Sequence, residues 1–187
     1  MSVAAWTGRR RFLAAAPALL ASGCANYGIS SRVMLFPPEI PFYVTGNEAI
    51  EVMLTGAGVG PADTVCDLGC GDGRIVIAAA YRYGAKGFGV DIDPQRISEA
   101  RYYAEKGGVA SRTRFDIADI FATDVSTATV VTLYLSVDFN RRLRPKLWRE
   151  LKPGSRVVSN KFDMGPEFPP ERSVQVGPER VFFWKVG

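Results

Sequence analysis

Val65-Cys66-Asp67-Leu68-Gly69-Cys70-Gly71-Asp72-Gly73-Arg74 is the stretch that decides how this chain folds. The run from Thr64 to Leu68 reads as a buried strand. Glycines at 69, 71 and 73 then predict a tight loop, and Arg74 to Tyr83, rich in Ile, Val and Ala, a helix. Glycine lets backbone turn sharply and approach a ligand with no Cβ in the way. A loop leaving the carboxyl end of a strand sits where open α/β sheets bind ligands. A dinucleotide site is spaced Gly-x-Gly-x-x-Gly, so that a pyrophosphate meets the helix N-terminus. Here the spacing is Asp-x-Gly-x-Gly-x-Gly. The leading acid, Asp67, accepts hydrogen bonds where a phosphate would be repelled, which favours a cationic ligand.

Outward from this loop, strands and helices alternate. Downstream, Gly87 to Val90 predicts a second strand, and Pro94 to Lys106 a helix with proline in its first turn. Arg112 to Phe115 predicts a third strand, and Thr129 to Leu135 a fourth, apolar as a central parallel strand should be. Leu147 to Leu151 ends another helix, which Pro145 either starts or kinks, and Lys152-Pro153-Gly154 turns into a fifth strand at Arg156 to Ser159. Val174 to Val176 and Val181 to Val186, separated by Gly177-Pro178, predict an antiparallel hairpin at the sheet edge. Upstream, beyond Pro37, Pro38 and Pro41, Thr45 and Glu48 fit a capping box for a short helix with Ile50, Met53 and Leu54 on one face, closed by Gly56. The expected fold is a single doubly wound α/β domain over residues 31–187.

Two further acids follow predicted strands. Asp91 lies in Gly89-Val90-Asp91-Ile92-Asp93-Pro94, 24 residues after Asp67. An acid there can accept both hydroxyls of a ribose, with Asp93 capping the next helix. Asp119 follows the third strand in Asp116-Ile117-Ala118-Asp119-Ile120, and Asp116 is the less favoured alternative. The acid-glycine loop resembles motif I of the class I, Rossmann-like seven-strand methyltransferases that use S-adenosylmethionine (SAM). SAM carries an amino group and a sulfonium and no phosphate, in keeping with a leading acid. The resemblance implies a cofactor site built from Thr45, Asp67, Gly69, Cys70, Gly71, Gly73, Asp91, Ile92, Asp119 and Ile120, with position 119 reaching the exocyclic amine of adenine.

The likeness narrows further. Asp67 to Ala80, Val130 to Leu135, Leu143 to Gly154 and Phe162 to Gly165 resemble bacterial relatives of the mitochondrial protein-lysine methyltransferases acting on adenine nucleotide translocase and the ATP synthase c-subunit. The resemblance runs from about Pro41 to Gly165, and Thr132-Leu133-Tyr134-Leu135 and Leu143-Arg144-Pro145-Lys146-Leu147 are its more specific parts. The family's pre-core motif reads roughly Val-Pro-Thr-Pro. This chain has Tyr43-Val44-Thr45-Gly46, which keeps the threonine and lacks the rigidity of both prolines.

The fourth strand leads into Tyr134-Leu135-Ser136-Val137-Asp138 instead of the Asn-Pro-Pro-Tyr motif of enzymes that methylate planar amino groups. The chain has no histidine to serve as a general base near neutral pH. A lysine acceptor needs none: desolvation lowers its pKa, and positioning does most of the rest. No catalytic residue follows from the sequence beyond Tyr134, which could line the acceptor slot or simply pack in the core; Asp163 is not favoured. The resemblance implies a protein substrate with an accessible lysine, with a membrane protein as one option. A small-molecule methyltransferase and an exported SAM-binding lipoprotein without turnover remain as alternatives.

Charge argues against nucleic acid. The net charge of +4 owes three residues to Arg9, Arg10 and Arg11, and without the first 23 residues 20 bases face 19 acids. Such a body offers no electrostatic footprint for a phosphate backbone. Residues 1–30 read as an export segment. Arg9-Arg10-Arg11-Phe12-Leu13 resembles a twin-arginine signal, Phe12 to Ala21 is a short apolar core, and Ala21-Ser22-Gly23-Cys24 resembles a bacterial lipobox with lipid on Cys24. The expected location is the periplasmic face of a membrane. Translation from Met34 would instead leave a cytoplasmic enzyme. Cys66 and Cys70 read as packing residues, with a disulfide between them left open.

Overall fold

The computed structural model describes residues 43–187. The expected export segment with Cys24, and the proline-rich approach, lie outside them. Seven strands form one sheet in the order β3-β2-β1-β4-β5-β7-β6. Five are parallel: β1 (Thr64–Leu68), β2 (Lys86–Asp91), β3 (Thr113–Ile117), β4 (Val130–Leu133) and β5 (Arg156–Asn160). The edge strand β6 (Arg172–Val176) and β7 (Glu179–Lys185) form the expected hairpin, with β7 antiparallel to β5. The chain steps from β1 outward to β3, then returns to lay β4 on the other side of β1. That reversal opens a crevice at the carboxyl ends of β1 and β4, where ligands bind in doubly wound sheets.

Alternation along the strands divides the core. Cys66 and Leu68 of β1 pack with Val131 and Leu133 of β4 and with Leu143 and Leu147 of α4 (Val137–Glu150). Val65 and Val130 point the other way, against Ile50, Met53 and Leu54 of α1 (Asn47–Gly56) and Ile75 and Ala79 of α2 (Arg74–Tyr83). A third cluster joins Cys70 and Val76 to Ile97 and Ala100 of α3 (Pro94–Lys106) and to Phe115. Each of the Val, Leu, Ile, Met and Phe side chains among these, fully buried, contributes roughly 1.5–3 kcal/mol.

The capping expectation at α1 is corrected. Gly46 is the N-cap and no side chain caps the helix. Thr45 is 4% exposed, and its carbonyl accepts a hydrogen bond from Arg74 Nη1 at 3.2 Å. Thr45 is therefore tied to the start of α2 and buried, while Tyr43 and Val44 before it stay exposed. Pro145 lies inside α4, which begins much earlier than its last turn suggested, at a Ser136 cap whose Oγ accepts from Phe139 N. Cys66 and Cys70 are free and buried in different clusters.

Candidate functional site

Asp67, next to last in β1, is 3% exposed. Its neighbour in the sheet is Thr132 of β4, whose hydroxyl donates to Asp67 Oδ1 at 2.7 Å. Burial pushes the Asp67 carboxyl up to about 7; the Thr132 hydrogen bond works against this, and the charges of Asp91 and Asp72 add to it. A carboxyl group in this state is poised to ionise when a cation arrives.

The loop after β1 depends on glycine. Gly69, Gly71 and Gly73 have φ of 83°, 52° and 77°, conformations that L side chains rarely adopt. At Gly73 space also forbids a side chain, since a Cβ would stand 2.7 Å from Phe115 and 2.8 Å from Ala100. The amides of Gly69 and Cys70 both donate to Val90 O at 2.9 Å, which ties the loop to β2. The Cys70 side chain packs inward, into room left by Gly89, where a Cβ would lie 2.6 Å from Cys70 Cβ. Burial raises its thiol well above the ordinary range, so Cys70 offers backbone to the loop and no reactive sulfur.

Asp91 closes this loop. Its Oδ2 accepts from Gly71 N at 2.9 Å and its Oδ1 from Asp93 N at 3.0 Å. A carboxylate has about four acceptor positions, so two remain for a ligand's hydroxyls. Ile92 beside it is 39% exposed. Asp93 caps α3 by accepting from Gln95 N at 2.8 Å. One strand further out, Ala118 N donates to Asp91 O at 3.0 Å, and this stitches the exit of β3 to that of β2. Asp119 follows, exposed, with Oδ1 accepting from Phe121 N at 2.8 Å, and Ile120 packs partly against the core. Asp116 is engaged on the outer edge in ion pairs with Arg114 at 2.8 Å and Arg101 at 4.0 Å.

The structure thus brings Asp67, the glycine loop and Asp91 into one connected unit. Asp119 and Ile120 stand at its β3 side, and Thr45 joins through Arg74, which also pairs with Asp72. Tyr134 leaves β4 on the same face as Thr132. Its hydroxyl donates to Glu179 Oε1 at 2.8 Å, and burial, then that hydrogen bond, push its pKa up to about 12. A tyrosine held in this way is a hydrogen-bond donor and no base near neutral pH.

Sequence reasoning missed Thr132, Arg74 and the group around Tyr134. Thr132 had a signal, as the one polar residue in the run Val130-Val131-Thr132-Leu133. Asn160, Lys161 and Glu179 had a weaker one: they sit at the carboxyl end of β5 and the start of β7. An open concavity between α3 and β3, lined among others by Arg101, Glu105, Arg114 and Asp116, contains none of the predicted site residues.

Comparison with known proteins points in one direction. The family profile described as the ANTKMT methyltransferase domain matches residues 67–172. A protein-lysine N-methyltransferase of Saccharolobus islandicus is 45% identical over 132 residues, 70% of this chain and 82% of that protein. The adenine nucleotide translocase lysine N-methyltransferase of Mus musculus is 29% identical over 79% of this chain; the match spans only 64% of the mouse protein. Among solved structures, one described as an RNA methyltransferase from Salinibacter ruber in complex with S-adenosyl-L-homocysteine aligns with a TM-score of 0.75. It is 44% identical and covers 77% of this chain and 94% of that one.

Proposed function

This chain belongs to the ANTKMT methyltransferase domain family, and from that premise we propose that its methyl acceptor is the side-chain amine of a protein lysine. The chain is an S-adenosylmethionine-dependent methyltransferase of the seven-strand α/β class. One observation carries the lysine reading: the 45% identity to a protein-lysine N-methyltransferase, sustained over most of both proteins.

The crevice fits the cofactor. The positive-φ loop leaves a cradle free of side chains, the Asp91 carboxylate keeps acceptor positions for ribose hydroxyls, and Asp67 provides an acid for the amino group. Asp119 and Ile120 would border the adenine, and Thr45, with Ile92, would flank the cleft. Bound there, SAM supplies an electrophilic methyl group on a sulfonium. The protein's part is to align an amine with it and keep water away. With no histidine in the chain, the acceptor must arrive as, or become, a neutral amine through desolvation.

RNA is the competing acceptor, because that is how the Salinibacter ruber protein is described. The balanced charge of the body beyond residue 23, 20 bases against 19 acids, speaks for protein. The test is a lysine methylome of membrane and soluble proteins from wild-type and deletion strains. At least one lysine is expected to lose its methylation in the deletion strain. An unchanged lysine methylome together with a lost RNA or metabolite methylation would overturn the reading.

The same proposal extends to place. The basic run at Arg9–Arg11, the apolar core and Gly23-Cys24 support export as a lipoprotein, and a twin-arginine route would carry a folded domain with its cofactor. Among the described residues no helix is long and apolar enough to cross a membrane; the proposed attachment is the lipid on Cys24. Labelling with a palmitate analogue should mark the wild type in the membrane fraction and leave Cys24→Ala unmarked. Unlabelled protein beginning at Met34 in the cytosol would contradict it.

A further inference from the structure

Beside the cofactor crevice, the carboxyl ends of β4 and β5 hold a second group of residues. Leu133 and Ser159 are the last positions at which β4 and β5 pair with each other, so Tyr134, just past β4, lies beside Asn160, the last residue of β5, which still pairs with Val181 of β7. The Tyr134 ring stands 6.5 Å from that of Tyr43 and 6.3 Å from that of Phe162. One carboxylate is held at the Tyr134 end of this group: Glu179 accepts from Tyr134 Oη at 2.8 Å and from Asn160 Nδ2 at 2.9 Å. Aromatic faces around a single acid are the chemistry that recognises an alkylammonium.

An alkylammonium is already there. Lys161 Nζ lies 5.9 Å from the centre of the Tyr43 ring, 5.6 Å from that of Phe162 and 3.8 Å from Glu179 Oε1. Lys161 reaches this position from φ 67°, and it is the one residue other than glycine with positive φ among those described. Side chains avoid that region, and residues held there cluster at functional sites. The backbone is pinned in place by Lys161 N donating to Arg180 O at 2.7 Å. Asn160, with no exposed surface, leaves its Oδ1 without a hydrogen-bond partner.

We propose that this aromatic-carboxylate slot first captures the acceptor's lysine as an ammonium, ahead of the loss of a proton to solvent that methyl transfer requires, and that Lys161 is its internal placeholder, a resident competitor displaced when the acceptor enters. The proposal rests on the lysine reading and adds to it a means of selection. Only a group that can replace an ammonium against the rings and Glu179 gains from the exchange; a neutral nucleobase amine does not. The Lys161 side chain is 46% exposed, so it has an open path into solvent.

The test uses n-butylammonium as a probe of the slot, followed by NMR of the tyrosine rings in the purified full chain. Lys161→Gly removes the competitor and suits the positive φ, so it should bind the probe about tenfold more tightly than wild type and melt no lower. Lys161→Asn, which also tolerates this backbone, should tighten binding likewise and guards against loosening by glycine. Equal or weaker binding in both variants, or no binding in any of them, overturns the placeholder. Turnover on lysine-containing peptides separates the two readings: the variants should lower KM. Tighter probe binding with no peptide lysine methylated would sink the acceptor reading and leave the slot standing. Peptide methylation with unaltered probe binding and KM would do the reverse.

Discussion

Asp91→Ala is expected to weaken binding of both S-adenosylmethionine and S-adenosylhomocysteine by about 30- to 150-fold, roughly 2–3 kcal/mol for a lost charged hydrogen-bond acceptor. The effect has two sources. The ribose hydroxyls lose their acceptor, and the amides of Gly71 and Asp93 lose the carboxylate that joins the glycine loop to the start of α3. Asp91→Asn can still accept through one oxygen and should fall between the two. Calorimetry on the purified proteins reads the outcome directly. Wild-type affinity in Asp91→Ala would mean that the cofactor lies elsewhere.

The second large effect is a pH dependence set by Asp67. A carboxyl ordinarily titrates near 4; here burial has moved it to about 7. In the ligand-free protein below pH 7 it therefore carries a proton, which it must release to meet the cofactor's ammonium. Affinity for SAM should fall as the pH drops, by roughly 20- to 30-fold between pH 7.5 and 5.5, about one proton being released on binding at the lower end. Asp67→Asn should bind weakly with a flat profile.

The sign for stability runs the opposite way. Between about pH 4 and 7 the folded ligand-free protein holds a proton that the unfolded chain has lost, so this group's contribution to stability declines as pH rises through that window. Asp67→Asn, which keeps an oxygen to accept from Thr132, should accordingly raise Tm above pH 7 and change it little below pH 4. Affinity of the wild type independent of pH between 5.5 and 7.5 would show that Asp67 is not the acid that meets the cofactor's charge.

The parts of this molecule that could be read from sequence share a physical trait: their cause is local. Thr64–Leu68, Arg74–Tyr83 and Pro94–Lys106 matched the structure residue for residue, because an apolar run, a glycine loop and a proline at N1 each mark a boundary by themselves. The hairpin of β6 and β7 followed from Gly177-Pro178 for the same reason. Thr45 misled because the helix starts one residue later than the capping pattern suggested, with Gly46 as its N-cap. Thr45 is instead buried, and its carbonyl accepts from Arg74, 29 positions along the chain. α4 was legible only at its end, since Pro145 masked the preceding two turns.

The candidate site divides along the same line. The glycine loop, Asp67 and Asp91 occupy strand ends that a linear pattern can mark. Thr132 met Asp67 only once β4 lay beside β1, across 65 positions, and Glu179 met Tyr134 across 45. Lys161 gave only the weak sign of following a strand, because its interest lies in one backbone angle and in rings contributed by three separate segments. The group around Tyr134 joins the consecutive residues Asn160, Lys161 and Phe162 to Tyr43, Tyr134 and Glu179, which lie far from them and from one another in the chain.

A single reaction decides whether a protein lysine is the methyl acceptor. The purified full chain is incubated with methyl-labelled S-adenosylmethionine and a mixture of membrane proteins and RNA, and the labelled position is located by tandem mass spectrometry. Label is expected on a lysine Nε, and is expected to vanish when Asp91→Ala replaces the wild type at limiting cofactor. Label confined to RNA or to a small molecule would contradict the lysine assignment.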